Sequence, residues 1–249
     1  MSESKLIQSI IRASQIIDCF SSQRFDLSLI EISEMTGLNK STLFGIIKTL
    51  EYENYIIQDP VTKKYRLGLK FVTKGAVASA SYDIITVAAP SLKRLNQKYH
   101  EATSLFLYEN HIIRCVYSLG SNTISAMKTE LGAELPFFSS ASGQAILASY
   151  DKSKINQIIK APEFLRYISD YDIDETKYIE SILNNRKNGF SIENGEVEKG
   201  VSSIAVTIDC INKVKATISV TGMTANITAK FSELASDLLA EKQTINRIC

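Results

Sequence analysis

Apolar and polar positions along this chain follow two periods, and the change between them divides it. Up to about residue 100 the apolar spacing is mainly helical; beyond that, β-rich runs appear between helices. Over residues 5–20, Leu6, Ile10, Ala13, Ile17 and Phe20 mark one helical face, and residues 23–27 form a connector. Ser28 and Glu31 then stand as a capping box that starts a short helix. Gly37 ends that helix, since glycine readily takes the positive φ of a sharp C-terminal turn. A further helix begins near Asn39, with Leu43, Ile46, Ile47 and Leu50 on one stripe. Residues 55–58 and 64–67 read as strands joined by a turn at 59–63, the ribbon of a winged helix-turn-helix that closes near Gly68.

Residues 69–82 contain Phe71, Val72, Ala76, Val77, Ala78 and Ala80 with few charges. They read as a linker helix, either a surface where a partner approaches closely or a plain domain-joining segment. Residues 83–100 are again helical, with Ile84, Val87, Leu92 and Leu95 inside; Pro90 is expected to kink or restart the helix, having no amide hydrogen. Strands are expected at 103–108 and 112–117 around a hairpin at 109–111, and at 124–128. Helices follow at 142–150, 154–160 and 175–187, strands at 190–193, 203–209 and 214–220, and a closing helix over 225–247. Hairpin-like connections favour an antiparallel sheet, hence an α+β domain.

At about 100° per residue, Ser41, Gly45, Lys48 and Tyr52 project from the side of the second helix opposite its apolar stripe. A face without a central carboxylate suits a DNA major groove. Between Lys40 and Lys70, six basic residues face three acidic ones, a local excess of three that makes a modest electrostatic footprint. Lys63, Lys64 and Arg66 stand where a wing meets the sugar-phosphate backbone. The same pattern also occurs in dimerisation and peptide-binding modules, where Lys48 is merely solvated.

Composition narrows the function classes. The 249 residues are 45% hydrophobic and 22% charged, with a net charge of +1, so nucleic-acid affinity has to be local. Cys19, Cys115, Cys210 and Cys249 are scattered without metal or disulfide spacing and read as reduced thiols. The N-terminus lacks the pattern of a signal peptide, and no apolar run approaches membrane-spanning length. A soluble, cytoplasmic protein is expected. His100 and His111 lie apart from any metal-ligand cluster, and no nucleophile elbow, Walker motif or dinucleotide fingerprint is present. Neither a cofactor nor a metal is expected.

A small-molecule pocket has better support. Residues 138–143, Phe-Ser-Ser-Ala-Ser-Gly, run into a helix at Gln144, and free amides at a helix N-terminus suit an anion. Helix capping by Ser140 or Ser142 accounts for the same residues. Ser203, Ser219 and Thr221 are spaced to point to one face of the sheet, with Glu193 at the rim, or are simply strand hydroxyls.

Residues 27–42, then Leu50-Glu51, the tyrosine-bearing wing and Tyr65-Arg66-Leu67-Gly68, resemble the IclR family of bacterial transcriptional regulators. The resemblance continues through residues 136–148, Gly189-Phe190 to Gly200-Val201, and Ser219-Val220-Thr221-Gly222. It implies a winged helix-turn-helix at 1–68, a linker helix at 69–82 that helps pair two chains, and a GAF-like sensor domain at 83–249. A double-stranded operator would be met by Lys40, Ser41, Thr42, Phe44, Gly45, Lys48, Tyr52, Lys63, Lys64 and Arg66. A small organic acid or related polar effector would be held by Ala141, Ser142, Glu193, Ser203, Ser219 and Thr221, in a homodimer or homotetramer. Two positions depart from the family pattern. Phe44-Gly45 replaces a basic or imidazole pair, which removes a guanine contact and points to an A·T-rich operator. Gln144 replaces a lysine, which weakens attraction for an acidic effector. The rival readings are a metabolite-processing enzyme with a helical appendage and a protein-interaction adaptor.

Overall fold

The computed structural model describes residues 6–21, 23–80, 83–109, 112–121, 129–209 and 215–248. It falls into two units, Met1–Ser81 and Tyr82–Cys249. The first contains helices α1 (Gln8–Asp18), α2 (Leu29–Thr36) and α3 (Lys40–Tyr52), the ribbon β1 (Ile56–Gln58) and β2 (Tyr65–Leu67), and helix α4 (Lys70–Ala80). Its helix ends are set locally. The Ser28 hydroxyl accepts from the Glu31 amide, and Glu31 Oε2 accepts from the Ser28 amide at 2.7 Å. Gly37 closes α2 at φ +68°, and Asn39 Oδ1 caps α3 by accepting from the Thr42 amide. Ile16, Ile32, Leu43, Ile47 and Ile56 are fully buried between these elements. Each such side chain contributes about 1.5–3 kcal/mol relative to exposure.

One expectation for this unit needs correcting. Only the C-terminal half of α1 packs: Ile16 is buried and Ala13, Ile17 and Phe20 lie against the same core, whereas Leu6 and Ile10 remain about two-thirds exposed. The helix outruns the core formed by α2 and α3, so apolar spacing continues where there is nothing to cover it.

The second unit opens with α5 (Asp83–Tyr99) and the hairpin strands β3 (Ala102–Glu109) and β4 (Ile112–Leu119), followed by the short β5 (Glu134–Leu135). Helices α6 (Ala141–Ser149), α7 (Lys152–Ile158), α8 (Pro162–Asp170) and α9 (Glu175–Asn188) lead to β6 (Ser191–Asn194), β7 (Val201–Asp209) and β8 (Lys215–Met223). The chain continues through α10 (Thr224–Ala229) and α11 (Phe231–Ile248). The six strands pair antiparallel in the order β5-β4-β3-β8-β7-β6. Alternation gives the sheet two unlike faces. Leu105, Leu107, Ile204, Val206, Ile218 and Val220 pack with α5 and α11. The other face brings Ala205 against Ala141 and Ala145 of α6.

Several elements differ from expectation. α5 is one helix through Pro90 and does not restart there. The closing helix breaks at Lys230 into α10 and α11. β5 and α8 were not foreseen. β5 is only two residues long, and α8 begins at Pro162, a residue suited to the first helical turn as well as to a loop. The expected strand at 124–128 and the hairpin residues Asn110 and His111 lie outside the described residues.

Candidate functional site

On the first unit, the apolar stripe of α3 turns inward and its other side faces outward. Leu43, Ile47 and Leu50 are buried; Lys40, Ser41, Gly45 and Lys48 are exposed, Phe44 is half exposed, and Tyr52 is 84% exposed. Thr42 is partly covered. Ser41 Oγ donates to Asn39 Oδ1 at 2.9 Å, so its hydroxyl already belongs to the cap. Lys48 is not a free cation. It donates to Glu51 Oε2 at 2.7 Å, a bond that raises its pKa, and lies 5.6 Å from the Phe44 ring centre. The face therefore carries the Glu51 carboxylate on its flank.

The wing has its own geometry. Asp59 Oδ1 accepts from the amides of Val61 and Thr62, and these bonds hold its carboxyl below the ordinary range. Lys63 takes φ +59° at the tip and is exposed, as is Arg66 on β2. Lys64 is drawn back toward Glu31 at 3.8 Å. Among the described residues, Lys40 and Lys63 carry no ion pair. Gly68 closes the ribbon; a Cβ there would run into the Asn54 carbonyl.

In the second unit, Ala141, Ser142, Glu193, Ser203, Ser219 and Thr221 all line one cavity of about 150 Å³. Register explains the convergence. Glu193 pairs with Ser203 and Ser203 with Thr221, so three adjacent strands place these side chains in one row. Ser219 lies two pairs along, on the same face, opposite Ala205. The Ser203 and Thr221 hydroxyls are 2.9 Å apart. Above the sheet, Ser140 caps α6 by accepting from the Gly143 amide at 3.2 Å. That leaves the amides of Ala141 and Ser142, at the first two helical positions, without an intrahelical acceptor. Gly143 is required sterically, because a Cβ would meet the Phe137 carbonyl.

Glu193 is buried rather than on the rim. Its Oε1 accepts from the amides of Glu196 and Val197, holding the turn after β6. Glu198 also lines the cavity, and no Lys or Arg does among the described residues. Gln144 points elsewhere: its amide donates to the Phe138 carbonyl at 3.4 Å and its oxygen accepts from Asn185. The lysine it replaces by resemblance would thus sit outside this cavity.

Residue-by-residue reading missed Phe106, Leu135, Val197 and Val201 as lining. Phe106 had a signal, being one of two strand positions whose alternation faces Thr217, but its partner strand is distant in sequence. Cys19 and Cys115 are buried and not joined in a disulfide, and burial pushes the Cys19 thiol up. Among the described residues, no cluster of His, Cys, Asp and Glu is arranged to hold a metal ion, and no helix is long and apolar enough to cross a membrane.

Comparison with known proteins agrees with both units. Residues 9–60 match the IclR helix-turn-helix domain and residues 76–247 the C-terminal domain of bacterial transcriptional regulator IclR. The transcriptional regulator XynR of Escherichia coli is 27% identical over 223 residues, covering 89% of this chain and 88% of its own. The E. coli DNA-binding transcriptional repressor YiaJ is 29% identical over 232 residues, covering 88% of this chain and 79% of its own. An IclR regulator from Alicyclobacillus acidocaldarius shares the fold, with a TM-score of 0.78 at 22% identity over 98% of this chain and 99% of that one. An IclR homolog from Microbacterium hydrocarbonoxydans, solved with 4-hydroxybenzoate, gives 0.79 at 18% identity over 97% of this chain and all of that one. With a helix-turn-helix at one end, the antiparallel-sheet domain at the other, and both family patterns matched in order, this chain belongs to the IclR family of DNA-binding transcriptional regulators, which are not enzymes.

Proposed function

We propose that α3 enters the major groove of a double-stranded operator with Ser41, Thr42, Phe44, Gly45, Lys48 and Tyr52 toward the bases, and Lys40, Lys63, Lys64 and Arg66 toward phosphates. The single observation that supports this most is the exposed outer face of α3 above a fully buried inner stripe. Lys48 has to exchange Glu51 for a DNA acceptor, and Lys64 has to leave Glu31. Both exchanges reduce the net gain per contact. Phe44 and the phenol of Tyr52 favour thymine methyl contacts over guanine, hence an A·T-rich half-site.

The 150 Å³ cavity is the effector site in this reading. Ala141 and Ser142 offer backbone amides to an oxygen-bearing head, and the hydroxyls of Ser203, Ser219 and Thr221 hold polar groups beyond it. Glu193 and Glu198, with no Lys or Arg among the described lining residues, favour a ligand that brings its own hydroxyl donors. A solved family member complexed with 4-hydroxybenzoate supports a small polar molecule of this kind. The chain acts as 1–68 winged helix-turn-helix, 69–82 linker and 83–249 sensor, in the cytoplasm, as a homodimer or homotetramer. The uncovered apolar side chains of α1 and α4, Ile10, Val72 and Val77, are each about two-thirds exposed and supply a pairing surface. Effector changes DNA affinity only insofar as it prefers one spacing of two recognition helices.

A gel shift with the protein's own upstream region, repeated across salt, tests the DNA half. Binding that weakens steeply with salt and is reduced in Lys40→Ala and Lys63→Ala supports these contacts. Unchanged affinity and salt slope in both variants removes them.

A further inference from the structure

Next to the effector cavity lies a larger one of about 810 Å³ that the regulator reading leaves without a role. Its walls come from α8, α9 and the turn following β6, and Val197 of that turn lines both cavities. Three phenol rings line the larger one. Tyr167 lies 5.4 Å from Tyr171 at 45° and 6.0 Å from Tyr178 at 67°, measured between ring centres and planes. The Tyr178 hydroxyl donates to the Phe138 carbonyl at 2.9 Å, which fixes that ring.

The charges of this lining are unbalanced. Glu196 and Asp174 contribute carboxylates, and Lys177 is the one basic residue among the described lining positions. Lys177 is spent at the mouth, 82% exposed and 3.9 Å from Asp174. Glu196 is exposed at the edge of the cavity, and among the described residues its carboxylate accepts no hydrogen bond and joins no ion pair; only its backbone amide is engaged, by Glu193. Burial, and next the Glu193 carboxylate, push its carboxyl up, and it in turn acts on Tyr167 and Tyr178. An unanswered carboxylate beside aromatic rings is complementary to positive charge, since ring faces carry the negative side of the quadrupole.

We propose that this chamber is a second ligand site, which takes an organic cation with an apolar body: the ammonium group lies between Glu196 and the Tyr167 ring, and the body covers Ile173 and Ile192. The site does not depend on what occupies the smaller cavity. Its volume falls within the range of small-molecule pockets.

Isothermal titration of the full chain with benzyltrimethylammonium tests it, with benzyl alcohol and benzoate as neutral and anionic counterparts. The expected result is one cation per chain, with affinity reduced about tenfold in Glu196→Gln and in Tyr167→Leu. Ser219→Ala, in the smaller cavity, leaves it unchanged. Because the Glu196 side chain makes no internal bond, Glu196→Gln should melt like the parent protein and remains interpretable if Tyr167→Leu unfolds. The proposal is overturned by equal or tighter binding of benzyl alcohol or benzoate, by an unaltered affinity in Glu196→Gln, by loss of binding in Ser219→Ala, or by no heat at up to about 10 mM cation.

Discussion

The winged unit and the sensor unit solve the placement of functional groups at different ranges along the chain. In the winged unit, each deciding contact is short: Ser28 with Glu31, Asn39 with Thr42, Asp59 with Thr62. The recognition face of α3 follows from its own apolar stripe. In the sensor unit, the cavity joins the first turn of α6 to a row across β6, β7 and β8. No local rule brings those residues together; sheet order does. A surface presented by one helix is legible from periodicity, whereas a concave site depends on pairing between distant strands.

The largest effects that sharpen this contrast lie in the cores. Ile47→Ala removes a fully buried side chain from the winged unit and should destabilise it by about 2–5 kcal/mol. Thermal melting followed with a gel shift should show DNA binding lost while ligand binding by the sensor persists; loss of both together would mean that the units do not fold separately. Next come the two crowded glycines. Gly68→Ala forces a Cβ onto the Asn54 carbonyl, and Gly143→Ala forces one onto the Phe137 carbonyl. Each should cost about 1–3 kcal/mol, seen by thermal denaturation, with Gly68→Ala weakening operator binding and Gly143→Ala weakening effector binding. If the two variants exchange phenotypes, the assignment of one task to each unit fails.

Smaller effects probe the local rules. Lys63→Ala at the wing tip should flatten the salt dependence of operator binding by about 0.9 in log–log slope, with little change in sequence preference. Ser28→Ala removes a cap from α2 and should cost about 1 kcal/mol in denaturant unfolding. The least is a pH effect. Glu31 is held below its ordinary pKa first by the Ser28 amide and then by the Ser28 hydroxyl. A depressed folded-state value means its contribution is whole above the ordinary carboxylate range and fades as pH falls through the lowered value. Acid titration of helix content should therefore bring the parent and Glu31→Gln curves together at low pH, where Glu31 is also neutral; a constant gap between them would contradict the capping account.

Individual residues show where reading along the chain failed. α1 looked uniformly amphipathic, yet Leu6 and Ile10 lie beyond the core, because periodicity reports a face and not the length of its partner. Lys48 looked like an unpaired cation until its rotamer placed it on Glu51, one turn away. Glu193 looked like a rim carboxylate, whereas the fold buries it as the anchor of the turn after β6. Gln144 followed the pocket glycine in sequence but turns toward Asn185 on α9. No helix is expected between residues 160 and 175, yet Pro162 starts α8, the helix that supplies Tyr167 to the second cavity.

By itself, the order of residues determined the helix caps, the turn at Gly37, the inward stripe of α3 and the alternation of each strand. These depend on dihedral preferences and side-chain periods that act within a few residues. Only the tertiary structure decided which strands became neighbours, and therefore that Glu193, Ser203 and Thr221 form a row beneath the amides of α6. Strand pairing is settled by burying the apolar face of the whole sheet against α5 and α11, an energy that belongs to no single segment.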